Sequence, residues 1–193
     1  MNSKRIKIDI PSPISQLSLY GYEKNFNIFK ELLKKNYLPN VILLNGQKGI
    51  GKATFAYHFI NYLLSLNEDC NYSLSNFKIN PENKSYKLIL NNSHPNFFLL
   101  EKFQENENIK IDQVRNLINF LNKTAYSKGV KIVLIDGAEV LNINSSNALL
   151  KALEEPSINT FFFIINDNSK KIIDTIKSRC IEFKIFLIKK RKI

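Results

Sequence analysis

A glycine-rich segment, Gly46-Gln-Lys-Gly-Ile-Gly-Lys52, has the residue types and spacing for binding phosphate. It matches a phosphate-binding loop through its lysine, and it lies between an apolar run and a helical pattern, as such loops do. The glycines let backbone N–H groups surround phosphate oxygens, and the lysine reaches the outer phosphates. The residues assigned to the nucleotide site are Gly46, Gly49, Gly51, Lys52, Thr54 and Asp136.

The metal-holding residue of this loop is missing. After the lysine, such loops place a Ser or Thr whose hydroxyl binds magnesium. Here that residue is Ala53, and Thr54 comes one place later. One step along a helix rotates a side chain by about 100°, so we do not expect Thr54 to point at a metal.

A second nucleotide-site element is the run Lys131-Ile-Val-Leu-Ile-Asp136, an apolar strand that ends in a carboxylate. Asp136 either holds magnesium through water or caps the strand end. Hydrolysis needs a further carboxylate next to it to orient water, but the next residue is Gly137, and Glu139 comes two places after that. The groups missing at positions 53 and 137 predict a degenerate site without hydrolytic activity.

Ser178-Arg179-Cys180 contains one of only four arginines among 28 basic residues. The planar guanidinium clamps phosphate in a way that lysine does not reproduce. A phosphate-binding arginine beside a disabled loop suggests a subunit that completes the active site of another protein. The alternative is an ordinary salt bridge from Arg179 to Asp174 or Glu182.

The elements that position these residues alternate between strands and helices. The expected strands are 41–44, 97–100, 131–136, 160–165 and 181–186, and the expected helices are 23–35, 52–66, 112–121 (with Asp112 as N-cap), 144–153 and 172–177. This alternation predicts an α/β fold with a parallel five-stranded sheet and helices on both faces. Residues 1–20 are expected to be an extended lead-in, and the asparagine-rich 67–96 a long insertion or loop.

Composition bounds the class of protein. The chain has 193 residues, of which 44% are hydrophobic and 23% charged, as in an ordinary globular domain. Its apolar runs are too short for a bilayer and its charged start is unlike a signal peptide, so we expect a cytoplasmic protein with no membrane partner. Cys70 and Cys180 are too few for a zinc or disulfide framework, so we expect free thiols and no metal site.

The net charge of +11 leaves two interpretations open. The excess of lysine matches a compositional bias shared with asparagine and isoleucine, or it assists approach to DNA. The only dense basic cluster is the tail 187–193, which we expect to be solvated.

Five segments together resemble a known family. They are 46–54, His94-Pro-Asn96, Ile135-Asp-Gly-Ala-Glu-Val-Leu-Asn142, Asn147-Ala-Leu-Leu-Lys-Ala-Leu-Glu-Glu-Pro156 and 178–180. Over about residues 15 to 185 the chain resembles the delta-prime subunits of the bacterial clamp loader, which are AAA+ proteins of the DNA polymerase III holoenzyme.

The resemblance implies an AAA+ P-loop NTPase-like domain over residues 21–186. It makes Arg179 a finger inserted in trans into the ATP site of a gamma/tau neighbour, with Ser178 and Cys180 as its motif neighbours. Asn166 falls where active relatives have a polar sensor residue. The implied partners are the gamma/tau and delta subunits, with primed DNA and the sliding clamp reached through the complex. The subunit would belong to a nucleotidyltransferase holoenzyme without an ATPase activity of its own. It would require no cofactor, although its degenerate site leaves room for weakly bound ATP or ADP.

Two departures from the family pattern qualify these expectations. Relatives often carry a four-cysteine zinc module, whereas residues 67–96 hold only Cys70. Relatives also continue into helical lid and collar domains, which we expect to be absent after residue 186. Two rival functions remain: an ATP-hydrolysing gamma/tau-like motor, and a basic DNA-binding module that acts alone.

Overall fold

The five expected strands form one parallel sheet. The computed structural model describes residues 11–102, 104, 108–126 and 129–186, so the basic tail and the first ten residues of the lead-in lie outside the described residues. The strands are β1 (Val41–Gly46), β2 (Phe97–Glu101), β3 (Lys131–Asp136), β4 (Thr160–Asp167) and β5 (Ile181–Lys184). Their order is β2-β3-β4-β1-β5, and all neighbours are parallel.

Helices cover both faces of this sheet because alternate strand residues point to opposite sides. Ile42 and Leu44 belong to one apolar cluster, and Val41 and Leu43 belong to the other. The first cluster packs against α1 (Glu23–Lys34), α2 (Lys52–Leu64) and α3 (Lys84–Leu90), and the second against α4 (Ile111–Asn122), α5 (Ile143–Glu154) and α6 (Asp174–Lys177). The predicted α/β class, with helices on both faces, is confirmed.

Aromatic packing fixes α2 against its neighbours. Phe59 meets Phe26 of α1 edge-on with ring centroids 5.2 Å apart, and it contacts Phe163 of β4 at 6.0 Å. Phe29 and Phe55 make a second edge-on pair at 5.2 Å. Such pairs add about 0.5–1.5 kcal/mol each beyond the area they bury. They hold α2, and therefore the glycine-rich loop before it, in one position against the sheet.

The insertion 67–96 is more ordered than the sequence indicated, and its prediction as a loop is wrong for α3. Asn83 begins α3 by accepting a hydrogen bond from the backbone N–H of Tyr86 at 2.7 Å. The carboxylate of Glu68 accepts hydrogen bonds from Asn83 Nδ2 at 2.7 Å and from Ser85 Oγ at 2.5 Å. Polar side-chain hydrogen bonds therefore define the start of α3, and Tyr86 and Ile89 then pack the helix against the first apolar cluster.

The lead-in and the insertion are tied to α2 through a buried histidine. His58 Nε2 lies 3.0 Å from the carbonyl oxygen of Gln16, and Nδ1 lies 2.9 Å from the hydroxyl of Tyr72. A carbonyl only accepts, so Nε2 carries the hydrogen and Nδ1 accepts from Tyr72. Burial lowers the pKa of His58 to about 4, which keeps the imidazole neutral.

The start of α4 differs from the prediction. The N-cap position is Lys110, not Asp112, and the backbone N–H of Lys110 donates to Gln113 Oε1 at 2.9 Å. Asp112 instead lies in the first turn and pairs with Arg115 at 2.8 Å. The Gln113 side chain, which bonds back to the residue before the helix, therefore has the capping role.

Within the described part of the chain, the helices are all too short or too polar to cross a bilayer.

Candidate nucleotide site and the arginine at the opposite sheet edge

The glycine-rich loop joins β1 to α2 at the C-terminal edge of the sheet. Gly49 and Gly51 have φ angles of 80° and 93°, in the left-handed region that favours glycine. A Cβ at Gly51 would also lie only 3.2 Å from the ring of Tyr22. The hydroxyl of Tyr22 donates a hydrogen bond to the carbonyl of Ile50. This tyrosine, just before α1, therefore holds the loop closed from one side.

Lys52, expected to reach outer phosphates, instead turns into the loop. Its Nζ donates to the carbonyl oxygens of Gly46 at 2.7 Å and Gln47 at 2.6 Å, and the residue is buried. Burial lowers the pKa of Lys52, against the opposing effect of nearby carboxylates, the first of which is Asp167. The ammonium group is thus satisfied by the backbone carbonyls of its own loop.

The missing hydroxyl is replaced by apolar packing. Ala53 is partly buried and packs against the first apolar cluster, while Thr54 follows as a half-buried third residue of α2. Position 53 therefore contributes a methyl group where an active loop presents an oxygen to magnesium.

Carboxylates from neighbouring strands meet at the same edge. Asp136 ends β3 and lies beside Glu101, the last residue of β2. Burial raises the pKa of Asp136, the charge of Glu139 raises it further, and Lys52 opposes both effects. Glu139 Oε2 accepts a hydrogen bond from the backbone N–H of Asp167 at 3.3 Å. Glu101 and Asp167 were not singled out from the sequence as site residues. Glu101 directly follows the predicted strand 97–100 and Asp167 comes two residues after the predicted strand 160–165, so both could have been found from those positions.

Gly137 directly follows Asp136 at this edge of the sheet. Its φ of 93° places it in the left-handed region, so the backbone conformation itself favours glycine over a residue with a carboxylate. Asn166 is buried next to this edge in β4, and its Nδ2 donates to Asn45 Oδ1 at 3.0 Å. Asn45 in turn donates to Glu182 Oε1 at 2.7 Å. The predicted sensor residue thus belongs to a row of hydrogen-bonded polar side chains on three neighbouring strands, β4, β1 and β5.

Arg179 lies at the opposite, N-terminal edge of the sheet, where the strands begin. Ile42 pairs with Ile181 in the parallel register, so Arg179 is level with Asn40, six residues before Gly46. At about 3.3 Å per residue, the backbone of Arg179 is roughly 20 Å from the loop along the strand direction. The structure therefore separates the two predicted phosphate-binding elements instead of bringing them together.

The guanidinium of Arg179 has partners other than the two expected. One Nη atom pairs with Glu154 at the end of α5, and the other donates to the carbonyl oxygen of Thr175 at 2.8 Å. Asp174 is paired with Lys171 at 3.1 Å. Glu182 lies 3.7 Å from Lys177. Arg179 does form a salt bridge, but the prediction that its partner is Asp174 or Glu182 is wrong.

The two neighbours of Arg179 shape the turn that carries it. Ser178 Oγ donates to the carbonyl oxygen of Thr175 at 3.2 Å, and Cys180 Sγ lies 3.1 Å from that of Ile176. Burial raises the pKa of the Cys180 thiol to about 12, so the thiol stays protonated. Cys70 and Cys180 are both free cysteines, as expected. Ser178 and Cys180 thus hold the end of α6.

Comparison with known proteins agrees with this architecture. A DNA polymerase III gamma-subunit-related protein of Thermotoga maritima superposes with a TM-score of 0.51 and 22% identity, over 88% of this chain and 47% of that one. The Thermotoga maritima RuvB Holliday junction branch migration motor superposes with a TM-score of 0.50 and 14% identity, over 90% of this chain and 49% of that one. Both likenesses concern the fold alone.

Sequence comparison is more specific. DNA polymerase III subunit delta' of Pseudomonas aeruginosa is 39% identical over 140 residues, which is 72% of this chain and 41% of the relative. The chain thus spans less than half the length of that relative. The model of the family described as DNA polymerase III, delta subunit, matches residues 21–188. Because that match covers most of the chain, and the delta' relative is 39% identical, the chain belongs to the DNA polymerase III delta-subunit family.

Proposed function

We propose that this chain acts in DNA replication as a non-catalytic subunit of the DNA polymerase III clamp loader. It supplies Arg179 in trans to the ATP site of a neighbouring gamma/tau subunit. The observation that carries this proposal is the position of Arg179, about 20 Å from the chain's own glycine-rich loop along the strands. An arginine at that distance is available to a neighbour's nucleotide and not to its own.

The chain's own loop supports the non-catalytic part. Position 53 offers a methyl group instead of a magnesium ligand, and Gly137 offers no carboxylate for the attacking water. Lys52 is held by two loop carbonyls. The glycines still present N–H groups to a phosphate, which leaves room for weak binding of ATP or ADP.

Arg179 can act on phosphoryl transfer by electrostatics alone. Negative charge is spread over the transferring phosphoryl group in the transition state, and a guanidinium delivered by a neighbour stabilises it. Such fingers change the rate by about 10³–10⁵-fold. The partners in this proposal are the gamma/tau and delta subunits, and primed DNA and the sliding clamp are reached through the assembled complex.

The test is a clamp loader reconstituted from purified subunits, with ATP hydrolysis stimulated by primed DNA and clamp as the readout. We expect Arg179→Ala to leave this subunit folded and assembled but to slow hydrolysis at the adjoining site. Arg179→Lys should recover little of the rate, because an ammonium group does not reproduce the planar two-pronged contact.

The matched control is Arg115→Ala, which removes an arginine whose side chain is 70% exposed and paired with Asp112. It should leave hydrolysis unchanged. An intact Arg179→Ala complex that hydrolyses ATP at the wild-type rate would end the trans-finger proposal.

A further inference from the structure

The contacts of Arg179 raise the question of what its ion pair does. The Glu154 carboxylate forms an ion pair with one Nη atom of Arg179. The arginine side chain is 25% exposed and the glutamate side chain is 50% exposed. Both groups therefore lie where solvent or a partner reaches them. An ion pair this exposed is weak and exchanges readily.

The guanidinium is incompletely satisfied in this arrangement. Its Nε is buried, and among the described residues it has no hydrogen-bond acceptor. A carboxylate or phosphate that binds an arginine in bidentate fashion accepts hydrogen bonds from two adjacent N–H groups, whereas Glu154 accepts from one Nη only. Because the Nε–H is buried without an acceptor, this arrangement is less favourable than one in which an oxyanion accepts its hydrogen bond.

We propose that Glu154 is a positioning residue that holds Arg179 in a parked conformation, defined as the one in which the guanidinium pairs with Glu154. The γ-phosphate of a partner's ATP displaces Arg179 from this conformation. This inference rests on the proposed function of Arg179. Glu154 is an acceptor of the same charge sign as the phosphate, so the two compete for the same guanidinium. A parked fraction lowers the apparent affinity of the neighbouring site for ATP, because only the released conformation binds.

The position of Glu154 in the fold suits this role. It is the last residue of α5, and Arg179 follows the short α6, which packs on the same face of the sheet. Glu155, the next residue, is also an exposed glutamate, but none of its contacts involves Arg179. Substitution at 155 is therefore a control with the same chemistry, one residue away.

The experiment uses a clamp loader reconstituted from this subunit and its partner ATPase subunits. Glu154→Gln keeps the size of the side chain and removes its charge. We expect it to lower the apparent KM for ATP by up to about fivefold, the ratio that corresponds to the ~0.2–1 kcal/mol of an exposed ion pair. The kcat with DNA and clamp should stay unchanged, and Glu155→Gln should change neither constant.

Three outcomes decide the matter. A lower KM in Glu154→Gln that disappears when Arg179 is also changed to Ala supports the parked conformation. A KM equal to that of Glu155→Gln overturns it, and so does a kcat that falls as it does in Arg179→Ala, since Glu154 would then support the active finger. If Arg179→Ala itself has no effect, the fault lies with the proposed function. Guanidinium rotation measured by NMR in the isolated subunit, slower in wild type than in Glu154→Gln, then still reports whether the pair forms.

Discussion

Two residues depart from the pattern of a hydrolysing nucleotide site, and they do so for different reasons. Ala53 places a methyl group where such a loop has a hydroxyl for magnesium, and it packs against the core. Gly137 stands where such a site has a carboxylate, and its φ of 93° makes almost any replacement strained. The first departure concerns only a side chain, whereas the second is also built into the backbone. Under the proposed function, restoring one group is therefore not expected to restore hydrolysis.

We expect the purified protein to hydrolyse ATP no faster than the buffer background. Ala53→Ser should not rescue activity, because position 137 still provides no carboxylate to orient the water. The measurement is steady-state phosphate release, with Lys52→Ala as the control for contaminating ATPases. Turnover in the wild type that is lost in Lys52→Ala would show a working cis site and favour a gamma/tau-like motor.

At the scale of elements, α2 is the helix that contacts most of the elements around the glycine-rich loop. Its N-terminus carries the loop, its aromatic side chains meet α1 and β4, and His58 joins it to both the lead-in and the insertion. His58 is fully buried and holds one hydrogen bond at each ring nitrogen. Burial disfavours the charged imidazolium and lowers the pKa of His58 to about 4, so the neutral form is part of the fold.

This histidine should make the stability of the protein depend on pH. Its pKa falls from 6.5 in the unfolded chain to about 4 in the folded one, so the unfolded state binds more protons between these values. The contribution to the free energy of unfolding is full above pH 6.5 and is lost as the pH falls towards 4. It amounts to about 3 kcal/mol from this shift.

The measurement is urea unfolding between pH 7 and pH 4, comparing the wild type with His58→Gln. The amide of glutamine does not titrate, so the variant should lose less stability across this range, even if it is less stable at pH 7. The burial-lowered pKa of His94 acts in the same direction but is present in both proteins, so the difference in slope belongs to position 58. Equal slopes would contradict the assignment.

The elements themselves were largely predictable, and the exceptions have physical causes. The strands β1 to β4 are mainly apolar runs, as expected for parallel strands covered on both faces, which is why they could be found from the sequence. The edge strand β5 instead alternates apolar and charged residues, which is also a strand pattern. The helix α3 could not, because Asn83 and Glu68 start it through side-chain hydrogen bonds that have no periodic signature. The phosphate loop was predicted from its spacing, but the inward turn of Lys52 depends on carbonyl positions that only the folded loop defines. The pairing of Arg179 with Glu154 joins residues 25 positions apart and needed the packing of α5 against α6.

At the scale of the whole molecule, charge is the dominant property, with a net value of +11. Its lysines are spread over the sequence, and many lie on the exposed surface, for example on α1 and after β4. A diffuse positive surface attracts any polyanion and has no means of reading base edges. Any direct affinity for DNA should therefore be electrostatic.

We expect the isolated chain to bind duplex DNA weakly, in the range of about 10⁻⁴–10⁻⁶ M at physiological salt that is typical of non-specific contacts. Affinity should fall steeply between 50 and 200 mM salt, as about one counterion is released per neutralised phosphate. Fluorescence anisotropy with two unrelated duplexes and one primed template measures this. Tight binding to one of them that survives the higher salt would favour a DNA-binding module that acts alone.

The placement of Arg179 and the glycine-rich loop at opposite edges of the sheet gives the subunit a direction. A two-fold dimer joins like surfaces and would bring two arginine edges together, or two loop edges, so neither contact would combine a finger with a nucleotide. Only a heterologous, head-to-tail contact presents the arginine edge of one subunit to the loop edge of another. Such contacts leave one unmatched edge at each end of a row unless the row closes into a ring. Under the proposed function, the subunit therefore belongs at an end of such a row, where Arg179 completes its neighbour on one side and its own loop needs no finger on the other.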